Sequence, residues 1–192
     1  MAVLLAFSRI VDAATRFIGY NVRWLILAAV LVSAINAIIR KTFDISSNAW
    51  LELQWQLFGA VFMLAAAYTL QMNAHVRIDA ISGRLSKRSR DVIDLVGHMV
   101  MLLPITLIMI WLTVPFFWAS YVEQEMSSNA GGLLVWPAKF LIFAGFVLLF
   151  IQALSEMTKR LAVISGVIAD PETQPVHGHV PSDTSITGGH NQ

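Results

Sequence analysis

Glu52 is the side chain of this sequence with the most chemical potential, because it is a carboxylate inside an otherwise apolar stretch. An unpaired charge there costs roughly 2.5 kcal/mol or more near mid-bilayer and less toward the interface. Such a carboxylate can carry a proton or cation, as in small four-helix exporters that dimerise around one acid. It can equally be fixed by a contact between helices or subunits, with Arg40 or Lys41 across a short outer loop within reach. Its position about one turn from the outer end favours the structural contact. His75 and His98 invite comparison with axial haem ligands, but one follows an apolar stretch and the other lies inside one, so their depths mismatch. A contact between His98 and Asp94 at i+4 accounts better for the second. Asp91 and Asp94 sit at a helix start, where acids are favoured by the helix dipole, with no nucleophile beside them. His177, His179 and His190 lack the spacing of a metal site. The chain has no Cys, which excludes disulfides, thiolate catalysis and thiolate-bound metal. No cofactor, no metal and no enzymatic activity are therefore expected.

The elements that must position Glu52 are four apolar stretches, Val22–Ile39, Ala49–Leu70, Leu95–Val114 and Leu133–Leu154. Each is near the ~20 residues a helix needs to cross a bilayer. Hydrophobic residues make up 57% of the chain and charged residues 13%, about half the ~25% of a soluble domain. The expected fold is an all-α membrane protein: four transmembrane helices preceded by an N-terminal amphipathic interfacial helix. Of thirteen Lys and Arg residues, only Arg40, Lys41 and Lys139 fall in the outer gaps, so both termini and the His75–Asp91 loop are expected in the cytoplasm. The net charge of +1 gives no reason to invoke nucleic acid. The clustered cations sit where anionic lipid head groups lie.

Over residues 1–20, Arg9, Asp12 and Arg16 share one helical face while Val3, Phe7, Ile10, Ala14 and Phe17 line the other. No basic segment precedes the apolar run, so this reads as an interfacial helix rather than a signal peptide. Residues 21–165 form the four-helix domain. Residues 166–192, rich in Pro, Gly, Ser, Thr and His, form an expected disordered cytoplasmic tail.

Two stripes of small and polar residues stand out. Ala29, Ser33, Asn36 and Arg40 share a face of the first span, and Glu52, Gln56, Gly59, Met63 and Ala66 share a face of the second. Lipid does not reward exposed amides, so both should face protein. Pro104 is positioned to kink the third span, and the aromatic run Pro115–Tyr121 carries that helix past the bilayer. Glu156 can pair with Lys159 or Arg160. Arg77 and Asp79 alternate with Val76 and Ile78 where the chain leaves the membrane, a pattern suited to specific hydrogen bonds. No repeat and no centrally broken helix is evident, which suits a scaffold better than a carrier.

An acidic residue opening the second span is followed by Gly59 and several Ala, then by His75-Val76-Arg77-Ile78-Asp79. Glu125 to Leu133 (EMSSNAGGL), Trp136-Pro137-Ala138-Lys139, Gly145-Phe146 and Leu148 to Gln152 (LLFIQ) come next. In this order and spacing, roughly over residues 8–162, the chain resembles the small membrane subunit of tripartite ATP-independent periplasmic (TRAP) transporters, the DctQ-like family. It departs from the family pattern at Phe143-Ala144, where a Pro is expected. The resemblance implies a bacterial inner-membrane protein partnered with a much larger membrane subunit and a periplasmic substrate-binding protein. It implies sodium-driven organic acid uptake, with substrate and ion sites in the large subunit and the small subunit widening the stationary scaffold. Ser33, Asn36, Arg40, Glu52, Gln56 and Gly59 are then candidates for the large-subunit or interhelical interface. His75, Arg77 and Asp79 form a cytoplasmic loop motif, and Glu123 and Glu125 are candidates for contacting the binding protein. An autonomous exporter working through Glu52 and a membrane anchor of a redox complex are the alternatives.

Overall fold

The computed structural model describes residues 2–44, 47–72 and 87–166. His75, Arg77 and Asp79, and the tail over 167–192, lie outside the described residues. Ala2–Phe43, rich in Ala, Leu, Ile and Val and free of Pro, is one continuous helix, α1. Its 42 residues extend about 63 Å, roughly twice the hydrocarbon thickness of a bilayer. The amphipathic segment expected over residues 1–20 is thus helical, but it runs into the first span without a break. Asn21, the amide at the junction, donates Nδ2 to the Phe17 carbonyl at 2.8 Å and so continues the helix instead of ending it. Ser8, Val11, Thr15, Val22 and Ala29 are buried in turn along one face of both halves.

Asp44, with φ of +54°, turns the chain toward α2, Asn48–Gln71, which runs back antiparallel to α1. Asx side chains tolerate this left-handed conformation best after glycine. The two helices approach closely at Gly19, where a Cβ would lie 2.3 Å from Tyr68 Cγ. Lys87–Gly97 forms α3, and a π-helical turn over His98–Leu102 joins it to α4, Leu103–Val122. The π turn sits where Pro104 requires it. Proline cannot donate to the carbonyl four residues back and its ring clashes with that carbonyl. Widening the turn, so that the Leu103 N–H bonds to the His98 carbonyl, accommodates the ring within the helix.

The last helix, α5, covers Trp136–Ile164 and is central: α1, α2, α3 and α4 all pack on it. Helices α1, α2 and α5 pack mutually, whereas α4 lies on the other side of α5 with no substantial contact to α1 or α2. Thr106, Thr113 and Ser120, spaced by seven, are the buried stripe of α4. The Thr hydroxyls donate to carbonyls one turn back, at 2.8 and 2.7 Å for Leu102 and Met109, so they need no partner across the interface. The aromatic extension of α4 does pack: Phe117 stacks on Phe143, and Tyr121 meets Trp136 edge-on. Most of α4 is otherwise bare, with Trp111 80% exposed. The whole is an open helical layer, and its four long apolar helices (Val3–Phe43, Asn48–Gln71, Val92–Val122, Trp136–Ile164) meet the length and composition of membrane spans.

Gly145 and Gly59 separate this packing from generic helix propensity. A Cβ at Gly145 would lie 2.7 Å from Met63 Cβ and 3.0 Å from the Met63 carbonyl oxygen, whereas one at Gly59 meets nothing within 4 Å. Gly145→Ala should therefore lower the melting temperature of the purified chain, by an overpacking cost of about 1–3 kcal/mol. Gly59→Ala should leave it unchanged or raise it, since Ala is favoured in a helix by up to ~1 kcal/mol. Equal losses in both would contradict the α2–α5 contact.

Candidate functional site

Polar side chains gather at three places, and the structure treats each differently. At one end of the layer, Asn48, Glu52 and Gln56 recur every four residues on one face of α2 and meet the loop between α4 and α5. That loop doubles back through an isolated bridge between Met126 and Leu134, with left-handed backbone at Gln124 and Gly131 (φ of +51° and +70°). Ser127 N–H bonds to the Leu133 carbonyl at 2.9 Å and Val135 N–H to the Glu125 carbonyl at 3.0 Å. Asn48 Nδ2 donates to the Ala130 carbonyl and Gln56 Nε2 to the Leu134 carbonyl, both at 2.9 Å.

Glu52 lies between them, 6% exposed. Its Oε1 accepts from the Ser127 hydroxyl and from Asn129 Nδ2 (2.8 Å), and its Oε2 accepts from the Leu133 N–H (2.6 Å). Gly132 is required beside it, because a Cβ there would lie 2.5 Å from Ser127 Cβ and 2.8 Å from Glu52 Oε1. The expected partners Arg40 and Lys41 are not those Glu52 uses. They lie exposed along α1, toward the opposite flank of α2, while Glu52 faces α5 and the loop. Both carboxylate oxygens are engaged by neutral donors, so the residue staples α2 to the loop. Next to it, a mainly apolar cleft of about 250 Å³ opens between α2 and α5, walled by Trp55, Gly59, Met63, Leu141 and Ile142.

Glu125, in the same loop, is paired with Lys139, whose ammonium also lies 4.1 Å above the Phe116 ring. Glu123 is exposed at the end of α4. The Lys139 ammonium donating to Glu125 holds its carboxyl below the usual carboxylate range. A depressed folded-state value contributes stability that is present above the unfolded value and is lost as pH falls through the folded one. Acidification into that range should loosen the loop, seen as faster protease cleavage between Glu123 and Gly132. The effect should be modest for a half-exposed pair. Glu125→Gln should cleave at a rate that no longer changes over this range, and an unchanged acid response in that variant would assign the effect to another group.

The second constellation, at the opposite end of the layer, was not anticipated as such. Asp12, which shares a helical face with Arg9 and Arg16 in the sequence, turns toward α5. Its Oδ1 accepts from Gln152 Nε2 (2.9 Å) and the Ser155 hydroxyl (3.0 Å), and its Oδ2 from the Lys159 ammonium (2.9 Å). Gln152, fully buried, also accepts from the Thr15 hydroxyl at 2.8 Å and donates to Glu156 at 2.9 Å. Ser8 and Ser155 hydroxyls lie 2.7 Å apart, and Gln71 Nε2 donates to the Asp12 carbonyl at 2.9 Å. Lys159 pairs with Glu156 at 2.6 Å, the i+3 pair expected, while Arg160 reaches Asp94 of α3 at 3.5 Å. His98 lies beside Asp94, as their spacing implies. The signal for this network was legible as a stripe: Ser8, Asp12 and Thr15 match Gln152, Ser155 and Lys159 in spacing.

The third place is a groove of about 530 Å³ between the C-terminal half of α1 and the N-terminal half of α2, lined by Ser33, Asn36, Arg40, Lys41 and Gln54 among others. Ser33, Asn36 and Gln54 make no hydrogen bond among the described residues. Residue by residue, the two expected stripes have separated. Glu52 and Gln56 are consumed within the chain, Gly59 faces open space, and Ser33, Asn36 and Arg40 remain open. Among the described residues no group of three or more His, Asp or Glu side chains is arranged to hold a metal ion.

A family model describing the DctQ component of tripartite ATP-independent periplasmic transporters matches residues 29–163. The match begins inside α1 and takes in α2 to α5, including Glu52, the loop it staples and Gln152. No curated protein and no solved structure matches the chain. With well over half of its length covered by that match, the chain belongs to the DctQ family of membrane components of TRAP transporters.

Proposed function

We propose that this chain is the auxiliary scaffold subunit of a sodium-coupled TRAP transporter for organic acids, packed against a large transport subunit in a bacterial inner membrane. Both termini face the cytoplasm, and a periplasmic binding protein delivers substrate at the end where Glu123 and Glu125 lie. The observation that carries this reading is the open groove between α1 and α2. Amides at membrane depth are costly when exposed to lipid and are normally satisfied across a helix interface. The Glu52 and Asp12 networks close within the chain, while Ser33, Asn36 and Gln54, with Arg40 at the mouth, do not. A membrane-embedded partner offering carbonyl, hydroxyl or carboxylate acceptors fits that face. The exposed ridge of Leu51, Trp55, Phe58 and Phe62 on α2 supplies apolar area beside it. An exporter working through Glu52 is disfavoured, because its carboxylate is committed on both oxygens to the loop.

Co-expression with the large membrane subunit and the binding protein tests the proposal. Liposomes holding all components should take up organic acid on a sodium gradient, and liposomes holding this chain alone should not. Asn36→Leu/Gln54→Leu should cut co-purification of the large subunit by about tenfold or more, since interhelical hydrogen bonds in membranes are worth about 0.6–2 kcal/mol each. The same variant should leave the melting temperature of the isolated chain unchanged. Full uptake by the large subunit and binding protein without this chain would refute the scaffold role.

A further inference from the structure

Helix α1 carries two parallel exposed stripes that neither the family assignment nor the scaffold role uses. Arg9, Arg16 and Arg23 recur every seven residues and are exposed. Beside them Val3, Ile10, Phe17 and Trp24 recur at the same interval, 81, 71, 70 and 60% exposed. A seven-residue repeat drifts by about 20° per step on a straight α-helix. Both stripes drift the same way and stay side by side over the N-terminal half of α1. Asp12 is the one acidic residue of α1, and it is turned inward onto Lys159, Gln152 and Ser155. The three arginines have no ion pair among the described residues, and among these their charge is uncompensated on the outward flank.

Between Arg9 and Arg16 the stripe is hollow. Ala13 lines a groove of about 520 Å³ together with Arg9, Asp12, Arg16, Phe17 and Tyr20, and the Asp12 carboxylate there is already held by Gln152, Ser155 and Lys159. The depth of the groove follows from neighbours. Gly19 is level with Tyr68, three residues before the end of α2, so Arg16 is level with that end and Arg23 lies about two turns deeper. Side chains on a helix lean toward its N-terminus. On α1 that lean carries Arg16 and Arg23 toward the membrane surface at this end. Arg23 follows it, its guanidinium lying 5.6 Å from the centroid of the Tyr20 ring one turn back. The Asp12 network fixes the roll of the helix, so the stripes cannot turn inward.

We propose that this groove is a binding site for an anionic phospholipid. Arg9 and Arg16 bracket the headgroup phosphate over Ala13, Arg23 holds the glycerol-level oxygens or a neighbouring headgroup, and the acyl chains lie along Phe17 and Trp24. Guanidinium groups suit the phosphate because they donate two hydrogen bonds in one plane. The N-terminal half of α1 would then be fixed from two sides, by α5 on one face and by lipid on the other.

The test uses the full chain in nanodiscs of phosphatidylcholine, alone or with an equal part of phosphatidylglycerol, extracted into mild detergent. Lipid retained on the protein is counted by native mass spectrometry. The wild type should keep phosphatidylglycerol in preference to phosphatidylcholine. Arg9→Gln/Arg16→Gln should lower that preference by about thirty-fold, given the contribution of each cation near an anionic surface. Ala13→Trp should lower it comparably by filling the groove without altering charge. Arg40→Gln/Lys41→Gln, at the opposite end of the layer, should change it little. Unchanged retention in both groove variants would overturn the site, as would an equal loss in the Arg40/Lys41 control. Displacement of the lipid by inorganic phosphate would reduce the site to an anion site. Loss of the lipid from wild type once the large subunit is bound would reassign the stripe to a protein interface.

Discussion

Glu52→Gln is expected to detach the loop over residues 123–135 from α2, although it exchanges a single oxygen for an NH₂ group. A carboxylate offers acceptors on both sides, and all three of its partners are donors: the Ser127 hydroxyl, the Asn129 amide and the Leu133 N–H. A carboxamide turns one of those sides into a donor. Either the Leu133 N–H or the Asn129 amide N–H must then face an N–H group at hydrogen-bond distance, while the Ser127 hydroxyl can turn to accept. A buried donor left unsatisfied costs about 1–3 kcal/mol, and a hydrogen bond to a charged group contributes about 1.5–3 kcal/mol. The expected loss is therefore about 2–4 kcal/mol for Glu52→Gln and at least as much for Glu52→Leu, which leaves every donor unpaired. Ser127→Ala removes one donor only and should cost about 1 kcal/mol. Melting temperature reports the total, and protease cleavage within Glu123–Gly132 reports whether the loss is local to the loop. Wild-type values for Glu52→Gln would show that the carboxylate does not hold the loop.

The same residue shows what was and was not legible beforehand. Its position off the centre of a span marked it as structural, and the spacing of Gln56 four residues later marked the face. The donors were invisible because they lie some 75 to 81 residues away in a stretch with no periodicity. A cation on the adjoining loop was the natural guess from proximity in sequence. The four spans were legible because length and apolar content are set by the bilayer, independently of what packs on what. Helix α1 was harder. A polar stripe repeating at helical spacing looks the same whether it meets head groups or another helix. Asp12 does the second, while Arg9 and Arg16, a turn away on either side, stay exposed. No local signal in residues 1–20 distinguishes these roles, since the deciding partner, Gln152, lies 140 residues further on.

Breaking the Asp12 network should unfasten one end of α1 and leave the rest in place. Residues 2–14 extend past the end of α2, whose hold on them is the Gln71 amide on the Asp12 carbonyl, so α5 is their main neighbour, through Ser8 and Asp12. Lys159 is the key to that contact, because it sits between two carboxylates, Asp12 at 2.9 Å and Glu156 at 2.6 Å. Lys159→Met leaves those two acids sharing the Gln152 amide with no cation between them. Removing one member of a buried ion pair costs about 3–5 kcal/mol. Some exposure of this cluster screens the charges, so about 2–3 kcal/mol is the better expectation. Because the cost falls on a segment held mainly by one neighbour, it should appear as local opening, with amide exchange over residues 2–14 faster by about thirty- to a hundredfold. Exchange in residues 19–43, which α2 also holds, should change little. Asp12→Asn in the Lys159→Met background removes the uncompensated charge and should recover part of the protection, so that the double variant is less open than the sum of its parts. Additive effects, or uniform acceleration along the whole of α1, would mean that the helix is held by its apolar packing and not by this ion pair.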